Sequence, residues 1–207
     1  MGNRLLVPLL LLVLGQLGLA TRLWAGEQNR MALAVWVGPT VSTNGRPEPV
    51  SFSEILGAGA RFSVSRPLDL ELFGEGNGLL GTYSFDEAIA GGDWGRTGFR
   101  VGARAFLDLG PSIEAFTSTA WGRDVEDIYA DNENRFIDGE YSVATLRLGI
   151  KFHNNARYQK PRWGFYVEAG PDFIFDQYWK EDGFAKPDRF DSLRWVLGLG
   201  VAAEFWH

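Results

Sequence analysis

The stretch LRWVLGLGVAAEFWH, from Leu193 to His207, alternates regularly between two kinds of residue. One set of alternate positions is apolar throughout, and it consists of Leu193, Trp195, Leu197, Leu199, Val201, Ala203 and Phe205. The positions between them include the charged residues Arg194 and Glu204. A period of two residues is that of a β-strand, so the stretch predicts a strand with one entirely apolar face. It is also long enough to cross a bilayer, for which a tilted strand needs about 9–11 residues.

Seven further segments show the same alternation, which gives eight predicted strands in all. These seven cover approximately residues 31–43, 56–65, 68–75, 99–108, 113–123, 144–152 and 163–176. Tyr141 and Val143 lie just before the sixth strand but out of its phase, which predicts a bulge or a later start. Pro171 lies within the seventh strand. We expect a bulge or a strand end there, because proline has no N–H group for a ladder hydrogen bond.

Long and short connections alternate between the predicted strands. About 12 to 20 residues follow the first, third, fifth and seventh strands, whereas only a few follow the second and the fourth. In an up-and-down antiparallel sheet, alternate connections lie at opposite ends, so all the long ones fall on one side. An even number of strands also allows such a sheet to close on itself.

The polar faces of the predicted strands carry charges of both signs among many glycines. In a narrow closed barrel these charges can neutralise each other inside, while the apolar faces point outward to lipid. We therefore predict an ion network that plugs the lumen. It consists of Arg61, Asp69, Glu71, Arg100, Arg104, Asp108, Glu114, Arg147, Lys151, Glu168, Asp172, Arg194 and Glu204, with Glu75 and Asp176 on the same faces. Membrane interfaces favour aromatic side chains, and predicted strand ends carry Trp121, Phe152, Trp163 and Phe205.

The first 25 residues have the layout of a secretory signal peptide. Arg4 supplies an early positive charge, residues 5–14 are apolar apart from Pro8, and small residues precede cleavage sites after Ala20 and Ala25. The apolar run is short for a spanning helix, although an uncleaved anchor stays open as the alternative. We expect a signal peptide over residues 1–25 and one barrel domain over residues 26–207.

The composition restricts the class of protein. Loss of residues 1–25 removes Arg4 and Arg22 and takes the formal net charge from −6 to −8, which argues against nucleic acid as a partner. The sequence contains no cysteine, so an exported chain has neither disulfides nor cysteine metal sites. Its stability must come from a packed interior or a closed sheet. We expect no cofactor, no metal site and no catalytic residues.

These features together resemble those of the small outer-membrane β-barrels of Gram-negative bacteria, the family that includes the membrane domain of outer-membrane protein A and the opacity-type proteins. The resemblance implies an all-β fold, an eight-stranded antiparallel up-and-down transmembrane β-barrel that is monomeric and lies in the outer membrane. It implies contacts with outer-membrane lipid and lipopolysaccharide. It leaves open whether the loops bind an extracellular ligand.

The resemblance also implies recognition of the last strand by the barrel-assembly machinery. Family members usually end on an aromatic residue, whereas this sequence ends on His207 and carries Phe205 two positions earlier. The expected assembly-signal strand presents Trp195, Leu197, Leu199, Val201 and Phe205.

Two other classes of function stay open at this point. Some barrels of this size are lipid A deacylases, and RWGFYVEAG (residues 162–170) resembles a strand of that family. Its catalytic signature pairs a histidine with a serine two residues on, but here Asn155 follows His153. We therefore expect no enzymatic activity and interpret His153 as a turn residue. The second alternative is a secreted, soluble, lipocalin-like barrel that binds a ligand and buries its apolar face.

Three features of the expected loops bear on binding. The segment from Asp124 to Glu140 holds seven acidic residues and one basic residue, and because its spacing matches no defined calcium loop we expect a solvated surface loop. The glycine-rich stretch 74–81 precedes no helix pattern, so it is interpreted as a strand end rather than a phosphate site. Aromatic residues expected to form a recognition surface are Tyr83, Phe85, Trp94, Tyr129, Phe136, Tyr178, Trp179 and Phe184.

Overall fold

The computed structural model describes residues 30–43, 51–78, 83–84, 93–130, 135–154, 161–181 and 192–207. The expected signal peptide, residues 1–25, lies outside the described residues. Nowhere in the described part of the chain is there a helix long and apolar enough to cross a membrane. The described strands are β1 (Met31–Thr43), β2 (Ser51–Ser65), β3 (Leu68–Asn77), β4 (Tyr83–Ser84), β5 (Asp93–Gly110), β6 (Ile113–Ala130), β7 (Arg135–His153), β8 (Arg162–Glu181) and β9 (Leu193–Trp206).

All the strands except β4 form one closed antiparallel barrel. Each long strand pairs with the next long strand along the chain, and β1 also pairs with β9. The two-residue strand β4 pairs with the beginning of β2. The predicted fold class, an eight-stranded antiparallel up-and-down β-barrel, is therefore confirmed.

Alternation along each strand decides which side chains point inward. On β1, every second residue from Ala32 to Ser42 is buried, and the residues between them are exposed or half-buried. The exposed apolar side chains of the described strands form a belt around the outside of the barrel. The belt includes Leu33, Val35, Leu56, Leu72, Phe99, Val101, Leu107, Trp121, Leu148, Ile150, Phe165, Val167, Leu197, Leu199 and Val201. A soluble lipocalin-like barrel would bury its apolar face, so that alternative is wrong.

β5, β6, β7 and β8 extend furthest beyond the bounds that the sequence predicted. They contain 18, 18, 19 and 20 residues. The hairpin of β6 and β7 stays paired from Ile113 and Phe152 to Ala130 and Arg135, and only residues 131–134 lie between the two strands. The surface loop expected over Asp124–Glu140 is therefore wrong, and the alternation of long and short connections is interrupted there. The acidic residues continue the alternation of the strand because Asp124 and Glu126 point into the barrel.

The expected loop aromatics lie mostly in strands. The structure places Tyr83 in β4, Trp94 in β5, Tyr129 in β6, Phe136 in β7, and Tyr178 and Trp179 in β8. Phe85 and Phe184 lie outside the described residues. Two residues, 66–67, connect β2 to β3, and another two, 111–112, connect β5 to β6. These short connections lie at the same end of the barrel as Met31 and Trp206, which we call the terminal end; the other is the opposite end.

The irregularity expected before the sixth predicted strand, which is β7, lies in the neighbouring strand β8. Tyr141 is buried in phase with the inward residues of β7, so the later start is wrong. The register between β7 and β8 shifts between Glu140 and Ser142, where β8 contains an extra residue. Asp176, with a φ of 51°, lies in this bulge. The bulge is therefore on β8 rather than on β7.

Pro171 lies where the ladder between β7 and β8 is interrupted, as expected for a residue without an N–H group. The described pairs of that ladder stop at Ala169 and resume at Asp172, whereas Pro171 still faces Trp195 on β9. Arg147 Nη1 donates a hydrogen bond of 2.7 Å to the Pro171 carbonyl oxygen from inside the barrel. The interruption is thus bridged by an interior side chain.

If the belt faces lipid, the loss of stability caused by a charged substitution should depend strongly on its depth in the membrane. Leu148 is 67% exposed and lies near the middle of the belt. The substitution Leu148→Arg is expected to destabilise the barrel by about 2–4 kcal/mol. Tyr178→Arg, at a residue 65% exposed near the opposite end, should cost about 0–1 kcal/mol. Equilibrium unfolding by denaturant in lipid vesicles measures both. Equal costs at the two positions would contradict a membrane belt.

Candidate functional site

The barrel interior is the candidate site because it concentrates charged side chains. Eight basic and nine acidic residues of the described strands are less than a tenth exposed. They are Arg61, Arg96, Arg100, Arg104, Arg147, Lys151, Arg162, Arg194, Asp69, Glu71, Glu75, Glu114, Asp124, Glu126, Glu168, Asp172 and Glu204. Opposite charges in nearly equal number allow the interior to be close to neutral overall.

The structure places the residues of the predicted ion network in this interior, with Asp108 only half-buried. Asp176, expected on the same faces, is exposed at the bulge of β8, so that expectation is wrong. Sequence reasoning missed Arg96, Asp124, Glu126 and Arg162 as interior residues. All four lie just beyond the predicted ends of their strands. The signal was present in the sequence, since each continues the two-residue period of its strand's polar face.

Arg61 is the centre of a cluster at the terminal end. Its guanidinium group donates to Asp69 Oδ2 at 2.8 Å and to Glu114 Oε1 at 2.7 Å. It also donates to Glu204 Oε1 at 2.6 Å. All four side chains are fully buried. One arginine therefore joins carboxylates from β3, β6 and β9.

Three further donors complete this cluster around two of its carboxylates. Arg162 Nη1 donates to Glu114 Oε1 at 2.8 Å and lies 3.5 Å from Glu204 Oε2. Lys151 Nζ also contacts Glu204. The indole Nε1 of Trp206 donates to Glu204 Oε2 at 3.1 Å. The last strand is thus tied to the interior through two of its final residues.

A second cluster lies toward the opposite end and is built on two aspartates. Asp172 accepts hydrogen bonds from Arg147 and from Arg194, the latter at 2.7 Å. Asp124 accepts from Arg100 and from Arg194, each at 3.0 Å. The cluster therefore joins β5, β6, β7, β8 and β9 across the lumen.

The second cluster continues outward through Tyr141. Its hydroxyl accepts a hydrogen bond of 3.2 Å from Arg194 Nη1 and donates one of 2.8 Å to Glu126. Arg96 Nη2 donates to Ser42 Oγ at 3.3 Å on the same side of the barrel. These contacts thus extend the polar interior from the second cluster toward the opposite end of the barrel.

Aromatic rings surround Arg104 between the two clusters. The guanidinium carbon lies 4.6 Å from the ring centre of Trp36, 4.7 Å from that of Phe73 and 5.2 Å from that of Phe116. Arg104 Nη1 donates to Glu71 Oε1 at 2.8 Å. A cation among aromatic faces is stabilised by their quadrupoles. Sequence reasoning saw polar faces here and missed this layer, although the rings follow the inward phase.

Glycines on neighbouring strands make room for these rings. Gly57 is the cross-strand partner of Trp36, and a Cβ atom on Gly57 would lie 2.3 Å from the indole. Gly149 is the partner of Phe116, and a Cβ atom there would lie 2.2 Å from the ring. A cavity beside Arg104 has a volume of about 10 Å³, which corresponds to about one water molecule.

Within the described residues, the catalytic pair of the deacylase alternative is not assembled around His153. His153 is the last residue of β7 and its side chain is buried, with Nε2 3.3 Å from Glu114 Oε2, so the turn interpretation is wrong. Neither ring nitrogen of His153 hydrogen-bonds a serine. Among the described residues, no group of three or more His, Cys, Asp and Glu side chains is placed to hold a metal ion.

The residues of the expected assembly-signal strand all point outward from β9. Their exposed fractions are 56% for Trp195, 45% for Leu197, 48% for Leu199, 42% for Val201 and 39% for Phe205. They belong to the apolar belt.

A closed sheet of eight strands with an apolar outside and a charged inside defines a transmembrane β-barrel of the outer-membrane type. The fold of Neisserial surface protein A is similar, with a TM-score of 0.51 at 8% identity over 86% of this chain and 99% of that chain. The fold is also similar to that of Ail, the attachment invasion locus protein of Yersinia pestis, in its complex with the heparin analogue sucrose octasulfate. The TM-score is 0.50 at 9% identity, over 86% of this chain and 100% of that chain.

The sequence itself matches no protein-family model and no curated protein. The sequence identity to these solved structures is far below that of close relatives, so the likeness shows the fold alone. Together with the apolar belt, this fold makes the chain a small outer-membrane β-barrel and places it in the bacterial outer membrane, as predicted.

Arg61→Met is expected to destabilise the folded barrel by about 3–5 kcal/mol, because three buried carboxylates would lose their shared partner. The matched control is Arg123→Met. Arg123 pairs with Glu140 at 2.6 Å on the outer surface, where the arginine side chain is 63% exposed, so its loss should change stability by about 0–1 kcal/mol. Denaturant unfolding in vesicles compares the two. Similar small costs would mean that water reaches the Arg61 cluster.

Proposed function

We propose that the protein is a non-porous, non-enzymatic barrel of the outer membrane with a structural or surface-recognition role. The observation that carries the proposal is the filled interior. Eight strands enclose a space just wide enough for side chains, and here two ion clusters and a layer of aromatic rings occupy it. An open channel would require these contacts to be broken.

The conductance of the barrel tests the plug. We expect the refolded protein to give silence or rare small events in planar-bilayer recordings, because moving any one interior cation would strand buried carboxylates. A steady, large conductance comparable to that of a general porin would contradict a plugged lumen. A general porin measured in the same bilayers is the control.

We assign the terminal end to the periplasm, since outer-membrane barrels have short periplasmic turns. The opposite end then faces outward. There β5 stays paired with β6 as far as Asp93, although the pairing of β3 with β5 ends at Asn77 and Gly98. Likewise β7 and β8 stay paired to Ile137 and Glu181. β5 to β8 thus extend beyond their shorter neighbours as a four-stranded sheet.

Recognition at this end favours a cationic partner. Apart from the buried Asp124 and Glu126, the segment 124–140 contains five acidic residues and one basic residue. Asp127 and Asp138 are direct cross-strand partners. A segment of predominantly acidic composition attracts cationic groups. The sulfated ligand in the Ail structure is anionic, so it is not the kind of partner that this acidic segment favours.

Retention on charged resins tests the sign of the partner. We expect the refolded protein in detergent to pass through immobilised heparin, to bind immobilised polylysine at low salt, and to be released at high salt because surface attraction is screened. Asp127→Asn combined with Asp138→Asn should weaken retention on polylysine. Asp108→Asn, at the terminal end, should leave it unchanged. Retention of the wild type on heparin would contradict the proposal.

The remaining partners follow from the location. We propose that the belt contacts outer-membrane lipid and lipopolysaccharide and that the barrel is a monomer. We also propose that the assembly machinery recognises the outward face of β9. The exposed apolar side chains of that strand support this assignment.

A further inference from the structure

The cavity beside Arg104 has four polar side chains in its wall. They are Glu71, Arg104, Lys151 and Tyr166, which come from β3, β5, β7 and β8. Aromatic rings and two alanines form the rest of the wall. A volume of about 10 Å³ admits one water molecule and no larger ligand. An entirely apolar cavity stays dry, whereas a cavity with about two to four polar partners holds a water.

Arg104 brings to this cavity a donor that no described residue uses. The residue is 6% exposed, and its Nε atom is buried without a hydrogen-bond partner among the described residues. Nη1 donates to Glu71 Oε1 at 2.8 Å, and Nη2 lies 3.9 Å from Glu168 Oε2, beyond hydrogen-bond distance. The rings around the guanidinium group offer no acceptor oxygen. A buried N–H group without an acceptor is costly, so a water beside it would stabilise the fold.

The other three polar side chains can complete the bonding of a water. The Lys151 ammonium group has three N–H donors and contacts a carboxylate of the cluster at the terminal end. Glu71 has a second oxygen besides the one bonded to its arginine. Tyr166 is the cross-strand partner of Gly200, and a Cβ atom on Gly200 would lie 2.5 Å from the tyrosine hydroxyl oxygen. Glycine at position 200 thus makes room for the hydroxyl group.

We propose that this cavity binds one ordered water molecule that joins the cluster at the terminal end to the layer around Arg104. The water accepts hydrogen bonds from Arg104 Nε and Lys151 and donates to Glu71 and Tyr166, which uses its full capacity of about four. Lys151 belongs to the terminal cluster through its contact with Glu204. The site goes beyond the proposed function, and one bound water opens no path for ions. A barrel without this water would still be expected not to conduct.

Nuclear Overhauser effects between water and alanine methyl groups test the site in the wild type. Ala34 and Ala202 lie in the cavity wall, whereas Ala120 is buried in the same core away from it. With methyl-labelled protein folded in detergent micelles, we expect transfer from a long-lived water to the first two methyl groups and none to Ala120. Relaxation dispersion of water ¹⁷O, which does not report proton exchange with side chains, should confirm a long-lived internal water. Absence of either signal, or equal transfer to Ala120, would overturn the proposal.

Filling the cavity separates a bound water from a dry cavity. Ala202→Val adds two methyl groups at the wall, and it should remove the water signal. It should also lower the midpoint of thermal unfolding by about 3–6 °C, because Arg104 Nε would lose its acceptor. In a dry cavity the same methyl groups would fill empty space and raise the midpoint.

The matched control is Ala202→Ser, because its hydroxyl group can replace the hydrogen bonds of the water. We expect its midpoint to stay close to that of the wild type. A midpoint for Ala202→Val equal to or above that of the wild type would overturn the proposal. If Ala202→Val does not fold, the two measurements on the wild type still decide whether the water is bound.

Discussion

Closure of the sheet is the constraint on which the rest of this structure depends. Lipid offers no hydrogen-bond partner to a backbone N–H or C=O group, so a strand in a membrane must be paired on both sides. Here the first and last strands complete the circle, with Ala32 opposite Trp206 and the His207 N–H donating to the Met31 carbonyl at 2.8 Å. Once the sheet is closed, each strand has one face toward lipid and one toward a narrow lumen. Away from bulges, the two-residue period of the sequence then decides on which face each side chain lies.

The lumen must be filled with little unpaired charge, and the interior achieves this in part by sharing single cations among several acceptors. Arg61 bonds three carboxylates and Arg194 bonds two. Charged and aromatic side chains need more space than eight strands leave if every partner strand also carries a side chain. Glycine at the cross-strand positions of Trp36 and Phe116 supplies that space. Packing and charge pairing are therefore two parts of one solution.

The sequence predicted the strand count, the two faces and most interior charges, because these depend only on the local period. It failed at strand ends: Asp124 and Glu126 look like a solvated loop until their burial is known. It also could not predict partners across the lumen. The contact of Arg61 with Glu204 joins residues 143 positions apart, and it depends on strand tilt and register around the whole barrel. The turn interpretation of His153 fails for the same reason as the strand ends, since His153 continues the inward phase of Arg147, Gly149 and Lys151 one step past the predicted strand end.

Under the proposed function, the same closure would place the recognition surface on paired strands. The ladder between β6 and β7 continues without a shift to Ala130 and Arg135, so this hairpin leaves the membrane as paired backbone. A partner that binds an already ordered hairpin loses less conformational entropy than one that must order a loop. The interior clusters anchor the base of the same hairpin, since Asp124 and Tyr141 hold its two strands to Arg194. Buried charge thus fixes the base of the hairpin that the proposed orientation directs outward.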